Sequence, residues 1–286
     1  MHHPSPLLRI THFLIAWVLV IFAGTAAAGD ANAPASADKP IRLVICSGQS
    51  NMPSSTGKRV RSELEKLFPD EQVLLAHVAE GGLPIFLWSK LPEHAALSRG
   101  TRQAGYMYDL VIAEVTKVLA GRQAKSLAFC WLQGEAERGN VKTTSEGYAA
   151  TLTSIITRLR SDLGRDDVDA GIARISDAQN HRPAWRAVRE GQVAVAANLP
   201  RCRWIDTDDA PSGNTPEKIT ASIAGPNDIH HNGQGAELIS RRFAAAIAAA
   251  WRGEPEPADP NTPSAADITL SAPAPPAPVS DAPAAQ

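Results

Sequence analysis

The sequence predicts an α/β fold in three layers, with helices on both faces of a mostly parallel sheet. Three observations carry that expectation. Short, strand-like apolar runs recur at 41–46, 72–78, 126–131, 168–175 and 203–205. Segments with apolar residues at helical spacing fall between them, and strands alternating with helices in this way form a parallel sheet covered on both faces. Several of the runs also stop in Gly-, Gln- or Glu-rich breaks, and the carboxyl ends of strands are where an open α/β sheet places its ligand crevice.

The chain has 286 residues, 44% hydrophobic and 20% charged, which suits one domain with a sizeable core plus flanking segments. A formal net charge of −2 gives no electrostatic footprint for nucleic acid, and no such partner is expected. At the N-terminus, Arg9 and His12 precede the apolar stretch 13–22, and Gly24-Thr25-Ala26-Ala27-Ala28 follows. A basic start, a short apolar run and an A-x-A end make a secretory signal peptide, and the run is short of the roughly 20 residues a membrane span needs. We therefore expect residues 1–28 to be a signal peptide cleaved after Ala28, with retention as an anchor the alternative, and a secreted or periplasmic protein. Residues 29–39 read as a flexible linker, 40–252 as the folded domain and 253–286 as a disordered Pro/Ala-rich tail. Among the three cysteines, Cys46 and Cys130 sit in strand-like runs as small core residues and Cys202 lies in a polar stretch. One disulfide is left open, as is the oligomeric state, and no Cys/His spacing fits a zinc site.

Taken in order, the first strand runs from Ile41 to Cys46 and breaks into Gly48-Gln49-Ser50-Asn51-Met52. That places Ser50 exposed at the sheet rim, at or near the N-terminus of the next helix, where backbone N–H groups favour negative charge. An acyl-transfer nucleophile needs this setting because its tetrahedral intermediate carries an oxyanion. On these residues alone, a Ser/Asn turn capping a helix is the plainer reading. The second strand, 72–78, is followed by Glu80-Gly81-Gly82-Leu83-Pro84-Ile85, a tight loop whose backbone can approach a ligand. Trp88 beyond it suits either a sugar site or the core. A helix over 106–119 carries Met107, Leu110, Val111, Val115 and Val118 at helical spacing. The third strand, 126–131, closes in Gln133-Gly134-Glu135-Ala136-Glu137, again placing polar groups at the rim.

Helices are expected over 148–163 and 185–197, on either side of the strand at 168–175. Trp185-Arg186-Ala187-Val188-Arg189-Glu190 reads as a charged helix face, and His181 as a solvated loop histidine. Beyond the strand at 203–205, Asn227-Asp228-Ile229-His230-His231 precedes a long Ala-rich helix over 234–251. Residues two apart in an extended segment point the same way, so Asp228 can accept from His230 Nδ1–H and leave Nε2 free to take a proton. Asp228 and His231, three apart, are the alternative pair. A metal reading of Asp-x-His-His fails because adjacent histidines on an extended chain point apart and no third ligand cluster accompanies them, so no metal or cofactor is expected.

Four blocks now stand in one order: Gly48-Gln49-Ser50-Asn51-Met52, Gly81-Gly82-Leu83-Pro84-Ile85, Trp131-Leu132-Gln133-Gly134-Glu135 and Asp228-Ile229-His230. They resemble the carbohydrate esterases of the SGNH-hydrolase superfamily, in its sialate O-acetylesterase-like and acetylxylan-esterase-like branch. The resemblance spans about 41–250. It implies the flavodoxin-like SGNH fold and a cofactor-free serine esterase acting on an acetylated carbohydrate. Under it, Ser50 is the nucleophile and His230 the base, oriented by Asp228. The backbone N–H groups of Ser50 and Gly82 (with Gly81 the runner-up) and the Gln133 side chain hold the oxyanion. Gln49, Asn51 and Glu135 support the site, with Glu135 holding the loop near Ser50. The Asp-Ile-His string, and Gly235 five residues past His230, favour His230 over His231. The chain departs from the branch at Glu137, where Asp or Asn is usual, and at Pro53-Ser54, where a glycine is common. A general short-chain esterase or lipase, or a non-catalytic carbohydrate-binding module, are the other readings.

Overall fold

The computed structural model describes residues 39–213 and 229–255. The expected signal peptide, nearly all of the linker and tail, and Asp228 lie outside the described residues. Five parallel strands form the central sheet: β1 (Ile41–Gly48), β2 (Gln72–Ala79), β5 (Ser126–Leu132), β6 (Asp169–Ala173) and β7 (Cys202–Ile205), in the order β2-β1-β5-β6-β7. Helices α1 (Ser54–Leu67), α2 (Tyr106–Leu119), α3 (Ser145–Leu163), α4 (Pro183–Asn198) and α5 (Gly233–Arg252) complete it. A two-residue antiparallel hairpin, β3 (Ser98–Arg99) with β4 (Arg102–Gln103), projects between β2 and α2.

The layering follows from the strand period of two. Along β1, Leu43 and Ile45 join one core with Met107 and Val111 of α2, Leu152 and Ile156 of α3, and Trp185 of α4. Val44 and Cys46 join the other, with Val60 and Leu64 of α1 and Ile239 and Phe243 of α5. In β5, Leu127, Phe129 and Trp131 face the first core, while Ala128, Cys130 and Leu132 face the second. This is the three-layer sandwich the sequence predicts. All three cysteines are free and buried. Cys46 and Cys130 stand opposite each other in the ladder, and Cys202 is a core residue despite its polar neighbours. No helix among the described residues is long and apolar enough to cross a membrane.

The chain leaves β1 for β2 on one side and returns to β5 on the other, so the strand order reverses at β1. A reversal of this kind opens a crevice beyond the carboxyl ends of β1 and β5. The loops that follow these strands carry Ser50 and Gln133.

Candidate active site

The β1 loop is set by a close approach. Gly48 has φ +150°, and a Cβ there would stand 2.0 Å from the Leu132 carbonyl oxygen, so only glycine lets β1 turn against the end of β5. Gln49 N–H then donates to Leu132 O at 3.0 Å, and Met52 N–H to Gln49 O at 2.8 Å, which folds Gln49–Met52 into a turn. Ser50 sits on that turn, half-buried, and α1 begins only at Ser54. Ser50 thus stands ahead of the helix rather than within its first turn.

Ser50 Oγ lies 2.9 Å from His230 Nε2. The structure therefore brings together the serine and the first histidine of the pair. His231 turns the other way, its Nδ1 3.4 Å from Ala210 O. Burial, together with the neighbouring His230, holds its pKa at about 4, below the usual value of 6.5, although the Ala210 carbonyl favours its protonated form. Asp228 lies outside the described residues.

The β2 loop borders the serine. A Cβ on Gly81 would stand 3.4 Å from Ser50 Cβ, and Gly82 adopts the left-handed region at φ +69°. A 3-10 turn over Ile85–Trp88 follows. Trp88 is a core residue and does not line the crevice: it is buried edge-on against Trp131, ring centroids 5.3 Å apart, and its indole N–H donates to Ser47 Oγ at 2.9 Å.

Gln133 is fully buried. Its Nε2 donates to Leu83 O at 3.1 Å and to Glu137 Oε1 at 3.2 Å, so the two amide hydrogens go to the Gly82–Leu83 turn and to Glu137. The expected oxyanion donation would require it to release one of them. The Tyr148 hydroxyl donates to Gln133 Oε1 at 2.9 Å, and Gln192 Nε2 to Gln133 O at 2.8 Å.

Glu135 and Glu137 are both buried, and burial raises both carboxyls above their usual range. Asn51 opposes the rise at Glu135, and the Ile85 N–H opposes it at Glu137. Asn51 Nδ2 donates to Glu135 Oε1 at 2.5 Å. Ile85 N–H donates to Glu137 Oε1 at 2.7 Å. Gln49 Oε1 accepts from Ala136 N–H at 3.3 Å, tying the β1 and β5 loops together.

Sequence reasoning missed two supports. Glu137 stands out in the sequence only as a departure from a pattern, yet it holds the Gly82 loop and Gln133 at once. The charged face expected of α4 is divided: Arg186 and Glu190 are exposed, while Arg189 and Gln192 turn inward. Trp185 is buried, Arg189 donates to Ile175 O and pairs with Asp208 at 2.7 Å, and Gln192 Oε1 accepts from Ile175 N–H. The 185/189/192 spacing was the available signal, since it marks one side of a helix. His181 is exposed, as expected of a solvated loop residue.

Two solved structures resemble this fold. XAC1771, a novel carbohydrate acetylesterase from Xanthomonas citri, aligns with TM-score 0.54 at 15% identity, over 74% of this chain and 56% of that one. NanS aligns with TM-score 0.53 at 12% identity, over 76% of this chain and 99% of that one. The chain thus spans little more than half the length of the first, and at these identities the likeness shows a shared fold. No curated protein matches in sequence. The sequence pattern of the carbohydrate esterase, sialic acid-specific acetylesterase family matches residues 55–247, more than half of the chain, and the chain belongs to that family of ester hydrolases.

Proposed function

We propose that this protein is a serine esterase that removes O-acetyl groups from a sugar or polysaccharide through an acyl-serine intermediate. The observation that carries the reading is the 2.9 Å contact between Ser50 Oγ and His230 Nε2 at the carboxyl edge of the sheet. His230 with its proton on Nδ1 accepts the serine proton at Nε2 as Ser50 Oγ attacks the acetyl carbonyl carbon. Asp228, two residues away, accepts from Nδ1–H and favours the charged imidazole. The oxyanion falls to the backbone N–H groups of Ser50 and Gly82, which donate to no acceptor among the described residues. Gln133 we assign to holding the Gly82–Leu83 turn. The carbon–oxygen bond to the sugar breaks, and the sugar oxygen takes the proton from His230. Water then attacks the acyl-serine by the same route and releases acetate.

The substrate class is supported by family membership, not by a contact with sugar. We also infer export directed by residues 1–28, which N-terminal sequencing of secreted protein would test.

The deciding experiment is p-nitrophenyl acetate hydrolysis by the full chain and by Ser50→Ala, His230→Ala and His231→Ala, followed by acetate release from acetylated sugars. Ser50→Ala and His230→Ala should each lose about 10³-fold or more, as removals of such groups do. His231→Ala should stay near wild type. Wild-type rates in Ser50→Ala sink the reading. Faster turnover of longer acyl chains than of acetyl moves it to a general short-chain esterase, and sugar binding without turnover to a binding module.

A further inference from the structure

We infer that Asn51 is the positioning residue that sets His230 against Ser50, and that Glu135 holds Asn51 to that task. The inference rests on reading Ser50 and His230 as nucleophile and base.

Asn51 is buried, and all of its amide capacity is spent except for the second acceptor site on its oxygen. Nδ2 donates to Ile229 O at 2.7 Å and to Glu135 Oε1 at 2.5 Å, and Oδ1 accepts from His231 N–H at 3.1 Å. Ile229 and His231 are the two neighbours of His230. One side chain therefore brackets the base by the backbone on both of its flanks, from the position next to the nucleophile.

Other bonds fix the shape of the histidine loop but not its distance from Ser50. Gly213 N–H donates to His230 O at 3.1 Å, Asn232 N–H donates to Pro211 O at 3.0 Å, and Ser212 and His231 form an antiparallel bridge. All of these tie the loop to residues 211–213. Among the described residues, the hydrogen bonds that join the 48–53 turn to the 229–231 loop are those of Asn51 and the Ser50–His230 contact itself.

Glu135 explains why the amide faces as it does. A flipped amide would set its oxygen against the Ile229 carbonyl and the Glu135 carboxyl, two acceptors, and its NH₂ against the His231 N–H. A buried acidic oxygen at this point thus selects the orientation that reads a carbonyl on one side of His230 and an N–H on the other. The second carboxyl oxygen, Oε2, is buried with no hydrogen-bond partner among the described residues, so an apolar group of similar length can occupy its place.

The test uses the full chain with p-nitrophenyl acetate as substrate and diisopropyl fluorophosphate as an active-serine probe. The panel is Ser50→Ala, Asn51→Ala, Glu135→Gln, Glu135→Met and Asn51→Ala/Glu135→Met. A misplacement near 1 Å costs about 10²-fold, so Asn51→Ala should lose about that in kcat, with KM within about 3-fold of wild type. Its rate of serine phosphorylation should fall in parallel. Glu135→Met should lose about 10-fold or more, while Glu135→Gln, which keeps an acceptor for Asn51, recovers most of the activity. The double variant should fall no further than Asn51→Ala, because the two act as one unit. Wild-type kcat and phosphorylation rate in Asn51→Ala and Glu135→Met, or in whichever of them folds, overturn the inference. A melting temperature lowered without loss of kcat does the same, since it marks a purely structural role. Wild-type activity in Ser50→Ala instead removes the esterase reading beneath it, so the two failures are told apart.

Discussion

The two edges of the sheet bury charge in opposite ways. At the amino edge, Arg42 is buried and matched on every side. Its Nε lies 2.5 Å from Glu71 Oε2, its Nη1 donates to Ser126 Oγ at 2.9 Å, and its guanidinium stacks 4.0 Å from the Phe68 ring and 4.9 Å from Trp251. Lys125 adds a second cation 3.1 Å from Glu71. Burial alone would raise the Glu71 carboxyl, but Arg42 and Lys125 outweigh it and hold it below its usual range. At the carboxyl edge, Glu135 and Glu137 are buried with only neutral donors in contact, and burial wins, raising both. Matched buried charge reads as architecture. Buried carboxyls left to amides and N–H groups, beside the Ser50–His230 pair, are what the proposed function expects of a working site.

The strongest way to break this contrast is at Arg42. Arg42→Ala leaves the Glu71 carboxylate with Lys125 as its one remaining cation and empties the stack between Phe68 and Trp251. Removing one partner of a buried pair costs about 3–5 kcal/mol, and the variant should unfold at correspondingly lower urea. The residue lies six residues, roughly 20 Å at about 3.3 Å per residue, from the Gly48 end of β1, and Ser50 lies beyond that end, so kcat of the folded variant should stay at the wild-type value. A loss of kcat at Arg42 would mean that the two edges are not separate. Glu137 is the counterpart. Glu137→Ala leaves Ile85 N–H and Gln133 Nε2 short of an acceptor and frees the glycine turn beside Ser50. We expect about 10²-fold lower kcat/KM on p-nitrophenyl acetate, about 2.7 kcal/mol in the transition state, with Glu137→Gln restoring most of it. Equal stability loss in both edge variants, with full activity in Glu137→Ala, would make the carboxyl edge architecture too.

The parts of the molecule that were legible are those whose cause is local. Every central strand lies in or beside a short, largely apolar run, and helix α2 was legible residue for residue because its apolar spacing coincides with its ends. β1 extends two residues past its apolar run, which ends at Cys46 because Ser47 is polar. It stays in the strand because its hydroxyl donates to Val78 O at 2.7 Å, a partner 31 residues away. Helix α1 went unread since its buried face is only Thr56, Gly57, Val60 and Leu64 among charged neighbours. The β3–β4 hairpin has no apolar pattern to show, only Ser, Arg and Gln. At the candidate site, Ser50 and His230 each sit in a short distinctive string, and the structure sets their side chains 2.9 Å apart. Glu137, Arg189 and Gln192 were not legible, because a charged or amide side chain reads as solvated until its distant partners are known.

The smallest effect separates the two histidines. His230 is exposed and points at Ser50, while His231 is half-buried behind it at a pKa of about 4. An unfolded histidine titrates near 6.5, so between pH 6.5 and 4 the unfolded chain binds a proton that the folded one refuses. Stability then rises with pH in that window. The His231 contribution is fully present above pH 6.5 and is lost as pH falls toward 4. Over pH 7 to pH 5 it amounts to about 2 kcal/mol. Glu135 and Glu137, whose raised carboxyls act in the opposite sense, are common to both proteins compared and cancel. His231→Gln should therefore lose about 2 kcal/mol less than wild type between those two pH values, read from urea midpoints at each. Equal slopes would mean that His231 takes its proton in the folded state, as an exposed histidine does. The reason for giving the two histidines different work, one facing the serine and the other packed neutral beneath it, would then be gone.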